Sequence, residues 1–473
     1  MENQSNLPNI LLIMSDEHAP MYSGTYGNSL VQTPNMDRLA EEGVTFDNAY
    51  CNSPLCCPSR MSFMTGRYIH NIGTWDNASP LASDQPTWAH LLGAKGYDVV
   101  LAGKQHFCGL DQLHGFRQQL ARDLHAEIWT KTGISVGAPD WEKGMLVAKH
   151  PWGGLQQAGP GTTLEIQVDD LVEEKATAYL QKTKDSKKPW ALNVSFIAPH
   201  FPLVVPSRFW DLYPLDQVDL PEIPTNHLES QHPVHRRMRQ MFGCIEFPEE
   251  LVLRARAGYY GLVTYLDEKI GRLLEVLQET DQYQNTLVIY CSDHGEMNGE
   301  HGMWRKSSLY EASVRVPLQI SWPGHLPAGK RVGQVVSLVD LISTIAEITE
   351  TDGKIKLDGS SLLPLMQGTD SDWKDCAFSE YCAHGVARPT AMFRRGHYKL
   401  HYSLGESPQL YDLNQDPNEF HDLAQETNYS SITQDLQEQL LSDWGPVKIE
   451  QEVIQSQRER RLIEQSYRHM KKT

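Results

Sequence analysis

Short apolar runs alternate with longer stretches of helical periodicity along the chain. NILLIM (9–14), DVVLA (98–102), WALNVSF (190–196), TLVIYC (286–291) and PLQIS (317–321) lack regular polar alternation, the pattern of strands buried on both faces. Leu262, Leu266, Ile270, Leu273, Leu274 and Leu277 recur at the spacing of one helix face. TPNMDRLAEEG (33–43) carries Pro34 at a first-turn position and ends in glycine, which predicts a short helix. Such strands, separated by helices, predict an α/β fold with a large, mostly parallel sheet sandwiched by helices. The pattern changes near residue 365. MFRRGHYKLHYSL (392–404) has β-rich alternation and LYDLNQDPNEFHDLA (410–424) is turn-prone. We therefore expect a larger unit over 1–365. A smaller C-terminal α+β subdomain follows over 366–473, with antiparallel strands and a helical tail. The tail ends basic (RERRLIEQSYRHMKKT) and reads as a solvated terminal helix.

Composition narrows the class. The 473 residues carry a formal net charge of −18, which disfavours a general nucleic-acid binder. Hydrophobic residues at 40% and charged residues at 22% are those of a folded globular chain. The eight cysteines are scattered, and Cys56 adjoins Cys57, so a disulfide framework is not expected. The N-terminal MENQSN lacks the basic start of a signal peptide, and no apolar run approaches the ~20 residues of a membrane span. The expectation is a cytoplasmic protein without a membrane partner, or a periplasmic one if a leader has been removed.

The chemistry-bearing residues sit just past the predicted strand ends, where open parallel sheets bind ligands. Ser15-Asp16-Glu17-His18, Gly103-Lys104-Gln105-His106, Pro199-His200 and Ser292-Asp293-His294 all occupy such places. Asp16 and Asp293 follow strands expected to be neighbours, with Glu17 and His294 beside them. Converging carboxylates repel unless a cation lies between them, and these donors suit Ca²⁺, Mg²⁺ or Mn²⁺. A helix N-cap is the lesser alternative for either aspartate taken alone. In SPLCCPSRMSFMTGRY (53–68), Pro58 suits a first helical turn and places Cys56 at a helix N-terminus, where a thiol is acidified. A buried pair of small apolar thiols is the plainer alternative. Arg60, Lys104, His106, His200 and Lys306 would form a cationic cluster on an acidic chain, which implies an anionic substrate group such as sulfate or phosphate.

These residues resemble a family. Cys56-Cys57-Pro58-Ser59-Arg60 followed by Thr65-Gly66-Arg67 matches C-x-P-S-R-x4-T-G-R, the signature of the type I sulfatases of the alkaline-phosphatase-like superfamily. GKQH (103–106), APHFP (198–202), SDHGEMNGEHGMWRK (292–306) and LYDLNQDPNEFHDLA look like further blocks of that family, in its order, over residues 8 to 425. SPL (53–55), DQLHGF (111–116) and SQRERRL (456–462) look like its choline-sulfatase branch.

The resemblance implies hydrolysis of the S–O bond of an organic sulfate monoester: choline sulfate, a sugar sulfate or an aryl sulfate. It implies that a formylglycine-generating or anaerobic sulfatase-maturating enzyme converts Cys56 to formylglycine, the nucleophile once hydrated. Asp16, Glu17, Asp293 and His294 would hold one divalent ion, by preference Ca²⁺. Arg60, Lys104 and Lys306 would neutralise the transferring group, His200 or Lys306 would protonate the leaving oxygen, and His106 would act as base. Glu17 stands where many relatives carry Asp or Gln, His294 replaces the Asn of many, and Cys57 is an extra thiol. A trimethylammonium group would need an aromatic or acidic pocket, for which Glu380, Trp129, Trp141 and Trp152 are candidates. Branch resemblance also implies a homo-oligomer. A phosphonate monoester or phosphodiester hydrolase using the same formylglycine site is the nearer alternative, an unmodified anion-binding protein the distant one.

Overall fold

A computed structural model describes residues 7–125, 152–244, 246–351, 355–369 and 372–470. Its main sheet runs in the order Lys330–Ser337, Val44–Tyr50, Leu318–Ser321, Thr286–Ser292, Asn9–Asp16, Trp190–Pro199, Asp98–Gly103, Gln118–Gln119. Asn9–Asp16 lies parallel to both neighbours, and Trp190–Pro199 parallel to Asp98–Gly103. All five expected strands are present. Leu318–Ser321 runs antiparallel to the strands on either side of it, so the sheet is mixed at that point.

The unbroken apolar runs have a simple cause. Side chains alternate across a strand, so a strand covered on both faces must be apolar at every position. Ile10, Leu12 and Met14 enter one core with Met61, Phe63, Trp88 and Leu341. Leu11 and Ile13 enter the other with Val172, Leu262, Leu266, Leu273 and Leu277. The second core is roofed by Leu164–Thr183 and by the long helix Glu249–Glu279, whose leucine face is the one read from the sequence. Pro34 opens the helix Pro34–Glu41, as expected. Two strands escape a periodicity reading. Val44–Tyr50 carries half-exposed Asp47 and Asn48, and Lys330–Ser337 has a largely polar, partly exposed first half.

The C-terminal residues build a four-stranded antiparallel sheet in chain order, Cys376–Tyr381, Thr390–Arg395, Tyr398–Ser403 and Gln409–Asp412. Phe378 and Leu400 pack there against Leu436, Leu440 and Trp444. Charge as well as apolar contact joins this sheet to the larger unit. Lys399, fully buried, holds Glu311 at 2.8 Å and Glu419 at 2.9 Å. Glu419 also accepts the backbone N–H of Glu311 at 2.6 Å, and Tyr50 donates to Glu311 at 2.8 Å. Burial would raise the Glu311 carboxyl, but Lys399 and Arg394 hold it at about 2.

The terminal helix Pro446–Met470 corrects the expectation of a solvated tail. Its Arg460 is only 3% exposed and grips Asp76, so one face of the helix is committed to the protein. The basic run hides this because the partner is far away in sequence.

Replacing Lys399 with Met should cost about 3–5 kcal/mol, since two buried carboxylates lose their counter-charge. Urea unfolding measures this; a midpoint equal to the parent's would show that the triad does not hold the two sheets together.

Candidate active site

The site is built on the carboxyl ends of the central strands. Asp16 and Asp293 follow one another across the register pair Ser15–Ser292 and are both fully buried. Behind Asp16, the backbone turns sharply: Glu17 sits at φ 70°. Gly103 (φ 95°) turns the chain toward Lys104, and a Cβ there would lie 2.1 Å from the Ser195 carbonyl, so only glycine fits. Asp123 fixes the next turn by accepting the N–H groups of Gln105 at 2.8 Å and His106 at 2.6 Å. Across the sheet, Asp169 accepts from Ile197 and Ala198, both at 2.8 Å, and so fixes the strand end that presents His200.

The signature segment forms the helix Cys56–Thr65, buried along its whole length. Leu55 is its extended N-cap and Gly66 (φ 64°) its left-handed C-cap, so Cys56 is the first helical residue. One turn later, Arg60 reaches back between the acids. Its Nε donates to Asp293 Oδ2 at 2.7 Å and Nη2 lies 3.5 Å from Asp16 Oδ2. Its Nη1 bonds the Lys104 carbonyl at 2.8 Å and Ser195 Oγ at 2.7 Å. Lys104 pairs closely with Asp16 Oδ2. Thus cations occupy the outer oxygens of both carboxylates.

The inner oxygens face a common point. Asp16 Oδ1 and Asp293 Oδ1 are each 3.6 Å from His294 Nε2, and Cys56 Sγ is 3.2 Å from that nitrogen and 3.7 Å from Asp16 Oδ1. Asp16, Cys56, Asp293 and His294 offer four buried donor atoms within 4.8 Å of one another. Asp16 forms a second such group with Glu17 and His200. Glu17 itself is ion-paired with His200 at 3.2 Å and Lys306 at 3.1 Å, beside the first group rather than in it.

Electrostatics separate these groups. Burial would raise the Cys56 thiol, but Lys104, Lys306 and His294 hold it well below its ordinary value. Its neighbour is the reverse: a Cys108 contact and burial push Cys57 well up, leaving one reactive and one inert thiol. Burial and the Cys56 charge would lift Asp16, yet Lys104, His200 and Arg60 keep it low. Asp293 is pushed up by burial despite Arg60, with Asp16 adding to the rise. Burial would lower His294, but Asp293 and Cys56 raise it to about 9. Two buried acids and an imidazole nitrogen aimed at one point form a donor set that a divalent cation would satisfy, taking the place of the proton that the acids otherwise draw onto the ring.

The structure therefore brings together Asp16, Cys56, Arg60, Lys104, Asp293 and His294, with Glu17, His200 and Lys306 adjoining. His106 lies within hydrogen-bonding reach of the Cys56 thiol. Glu380 is placed elsewhere than expected. Fully buried, it accepts from His70 at 2.7 Å and from Trp444 at 2.9 Å, which closes it to a ligand. Trp129 and Trp141 fall outside the described residues; Trp152 opens the short helix Trp152–Gln156. Asp123, Asp169, Ser195 and His125, whose ring lies 5.7 Å from His106 and 5.8 Å from His200, were not legible beforehand.

Residues 8–351 match the sulfatase family model, and residues 299–444 match that of the C-terminal region of N-sulphoglucosamine sulphohydrolase. The chain belongs to the sulfatase family. Like other sulfatases, it is an enzyme that hydrolyses sulfate esters. It is 36% identical over 436 residues to a choline-sulfatase of Rhizobium meliloti (strain 1021), covering 88% of this chain and 82% of that one. It is 32% identical over 461 residues to arylsulfatase K of Rattus norvegicus, covering 92% and 77%. The phosphonate monoester hydrolase of Agrobacterium radiobacter superposes with a TM-score of 0.75 at 25% identity, covering 92% of this chain and 95% of that one. A structure in complex with its substrate D-glucosamine-2-N,6-O-disulfate shares the fold of this sulfatase, with a TM-score of 0.75 at 24% identity over 93% and 99% of the chains. Among the described residues, no helix is long and apolar enough to cross a membrane.

Asp169→Ala should orphan two backbone donors, costing about 1–3 kcal/mol. Releasing the strand end before His200 should lower turnover of a sulfate ester by roughly 10- to 100-fold. Thermal unfolding and initial rates test this; parental rates would show that Asp169 does not position His200.

Proposed function

We propose that this sulfatase cleaves the S–O bond of a small organic sulfate monoester, with residue 56 as formylglycine and one divalent ion at Asp16, Asp293 and His294. The observation that carries this reading is the position of Cys56. It begins a buried helix, between two carboxylates and a ring of cations, where no ordinary structural cysteine would be placed. Hydrated formylglycine supplies a nucleophilic hydroxyl toward sulfur and a second hydroxyl that expels sulfate, while the cation, Ca²⁺ by preference, supplies charge against the forming anions.

The chain's own residues do the rest. Arg60 and Lys104 hold the outer oxygens of Asp16 and Asp293, leaving the inner ones to converge. Lys104 and Lys306 bring positive charge to the sulfuryl group. His200 and Lys306 share Glu17, so either is placed to give a proton to the leaving oxygen. Glu17 would stand beside the ion, through the donor group it forms with Asp16 and His200. His106, beside residue 56, takes the proton when sulfate leaves. The reading requires a maturation enzyme as protein partner and includes a homo-oligomer.

Choline sulfate is the first alcohol ester to test, supported by the similarity to the Rhizobium meliloti choline-sulfatase. The closed environment of Glu380 speaks against that residue as the cation's partner, and sugar and aryl sulfates remain in the same class. A second reading, phosphonate monoester hydrolysis, is favoured by the similarity to the Agrobacterium radiobacter hydrolase.

Turnover of nitrophenyl sulfate should exceed that of the phenylphosphonate ester, and the opposite order would favour the second reading. Cys56→Ala should abolish turnover while leaving thermal unfolding unchanged. Mass spectrometry of the peptide containing residue 56 should show sulfur and two hydrogens exchanged for oxygen. An active protein with an intact thiol there would overturn the mechanism. Chelation should remove activity and Ca²⁺ should restore it.

A further inference from the structure

The terminal helix reaches the back of this site. Ile449, Val453, Gln457 and Arg460 recur at helical spacing and are all buried, so they form the helix's inner face. At the end of that face, Arg460 makes a two-pronged ion pair with Asp76, Nη1 to Oδ1 and Nη2 to Oδ2, both at 2.7 Å. Both side chains are sealed from solvent, so each is costly without the other. Asp76 in turn organises a tight turn: its Oδ1 accepts from the Ala78 N–H at 2.9 Å and the Ser79 hydroxyl at 3.1 Å.

That turn grips two segments of the active site. Asn77 Oδ1 accepts the N–H of Cys57 at 3.0 Å, one of the free donors at the start of the signature helix. The Cys57 thiol donates to the Ser79 carbonyl at 3.6 Å. On the other side, the Cys108 thiol donates to the Asn77 carbonyl at 3.2 Å, two residues beyond His106. The residues next to Cys56 and His106 are thus tied to one turn, and that turn is held by a charge from the far end of the chain.

We propose that Arg460 is a positioning residue of the sulfatase site: through Asp76 and Asn77 it sets the N-terminus of the signature helix and, with it, the placement of residue 56 against His106. The inference rests on the roles given to those two residues above. It adds the terminal helix as a working part of catalysis.

Three variants test it: Arg460→Met, Arg460→Lys and Asn77→Ala, the last removing the grip on Cys57 without disturbing the ion pair. The readouts are kcat and KM for nitrophenyl sulfate, normalised to the fraction of residue 56 modified, and hydrogen exchange of the amides of Cys57, Ser59 and Arg60. Arg460→Met and Asn77→Ala should lower kcat by about 10-fold or more with KM little changed, and should speed that exchange. Arg460→Lys, which keeps the charge but not the fork, should recover part of kcat. Parental kcat in folded Arg460→Met or in Asn77→Ala, a loss carried by KM alone, or faster exchange without loss of kcat would each overturn the proposal. If Arg460→Met does not fold, Asn77→Ala decides by the same criteria. Absence of turnover in the parent protein would instead overturn the functional reading, and exchange in the variants would still judge the grip.

Discussion

Two carboxylates buried side by side are the constraint around which the structure is arranged. Asp16 and Asp293 end neighbouring parallel strands, and the sheet's register leaves them no room to separate. Their coexistence is unfavourable unless every outer oxygen has a positive partner. Arg60 meets that need by threading from the signature helix between the two strand ends, while its remaining N–H groups tie down the Lys104 segment and Ser195. One side chain therefore joins the helix that carries Cys56 to the carboxyl edge of the sheet. A lysine could not do this, since it lacks the fixed fork of donors.

The same logic of paired buried charge recurs away from the centre. Glu311, five residues beyond Lys306, meets Lys399 and through it Glu419 where the antiparallel sheet joins the main one. Charges of this kind add little net stability compared with apolar contacts, but they tolerate only one arrangement. The molecule thus uses apolar packing to form its layers and ion pairs to set their registration. The surface is strongly acidic by composition, with a net charge of −18, yet the cations that matter are turned inward.

Most of the layers and the core of the site were legible in the sequence because both obey local rules. A strand covered on two faces has to be apolar throughout, and a ligand site on a parallel sheet has to lie at strand ends, so Asp16, Lys104, His200 and Asp293 stood out by position. Direction was not legible: the run at Leu318–Ser321 is equally apolar whether it runs with or against its neighbours. Nor were Asp123 and Asp169, whose work is to accept backbone N–H groups, a role that leaves no pattern in composition. Glu380 misled because its surroundings in sequence do not reveal His70 and Trp444. Arg460 was concealed among neighbouring basic residues; which of them turns inward is decided by Asp76.

The separation of that last pair has a consequence for how the chain is made. Arg460 and Asp76 are 384 positions apart, so their contact is among the most non-local in the molecule. In a chain synthesised from its N-terminus, the signature segment and the turn behind it emerge long before the arginine does. Until residue 460 has been made, Asp76 lacks the arginine that pairs with it. The full set of contacts behind Cys56 is thus available only once the helix Pro446–Met470 has docked.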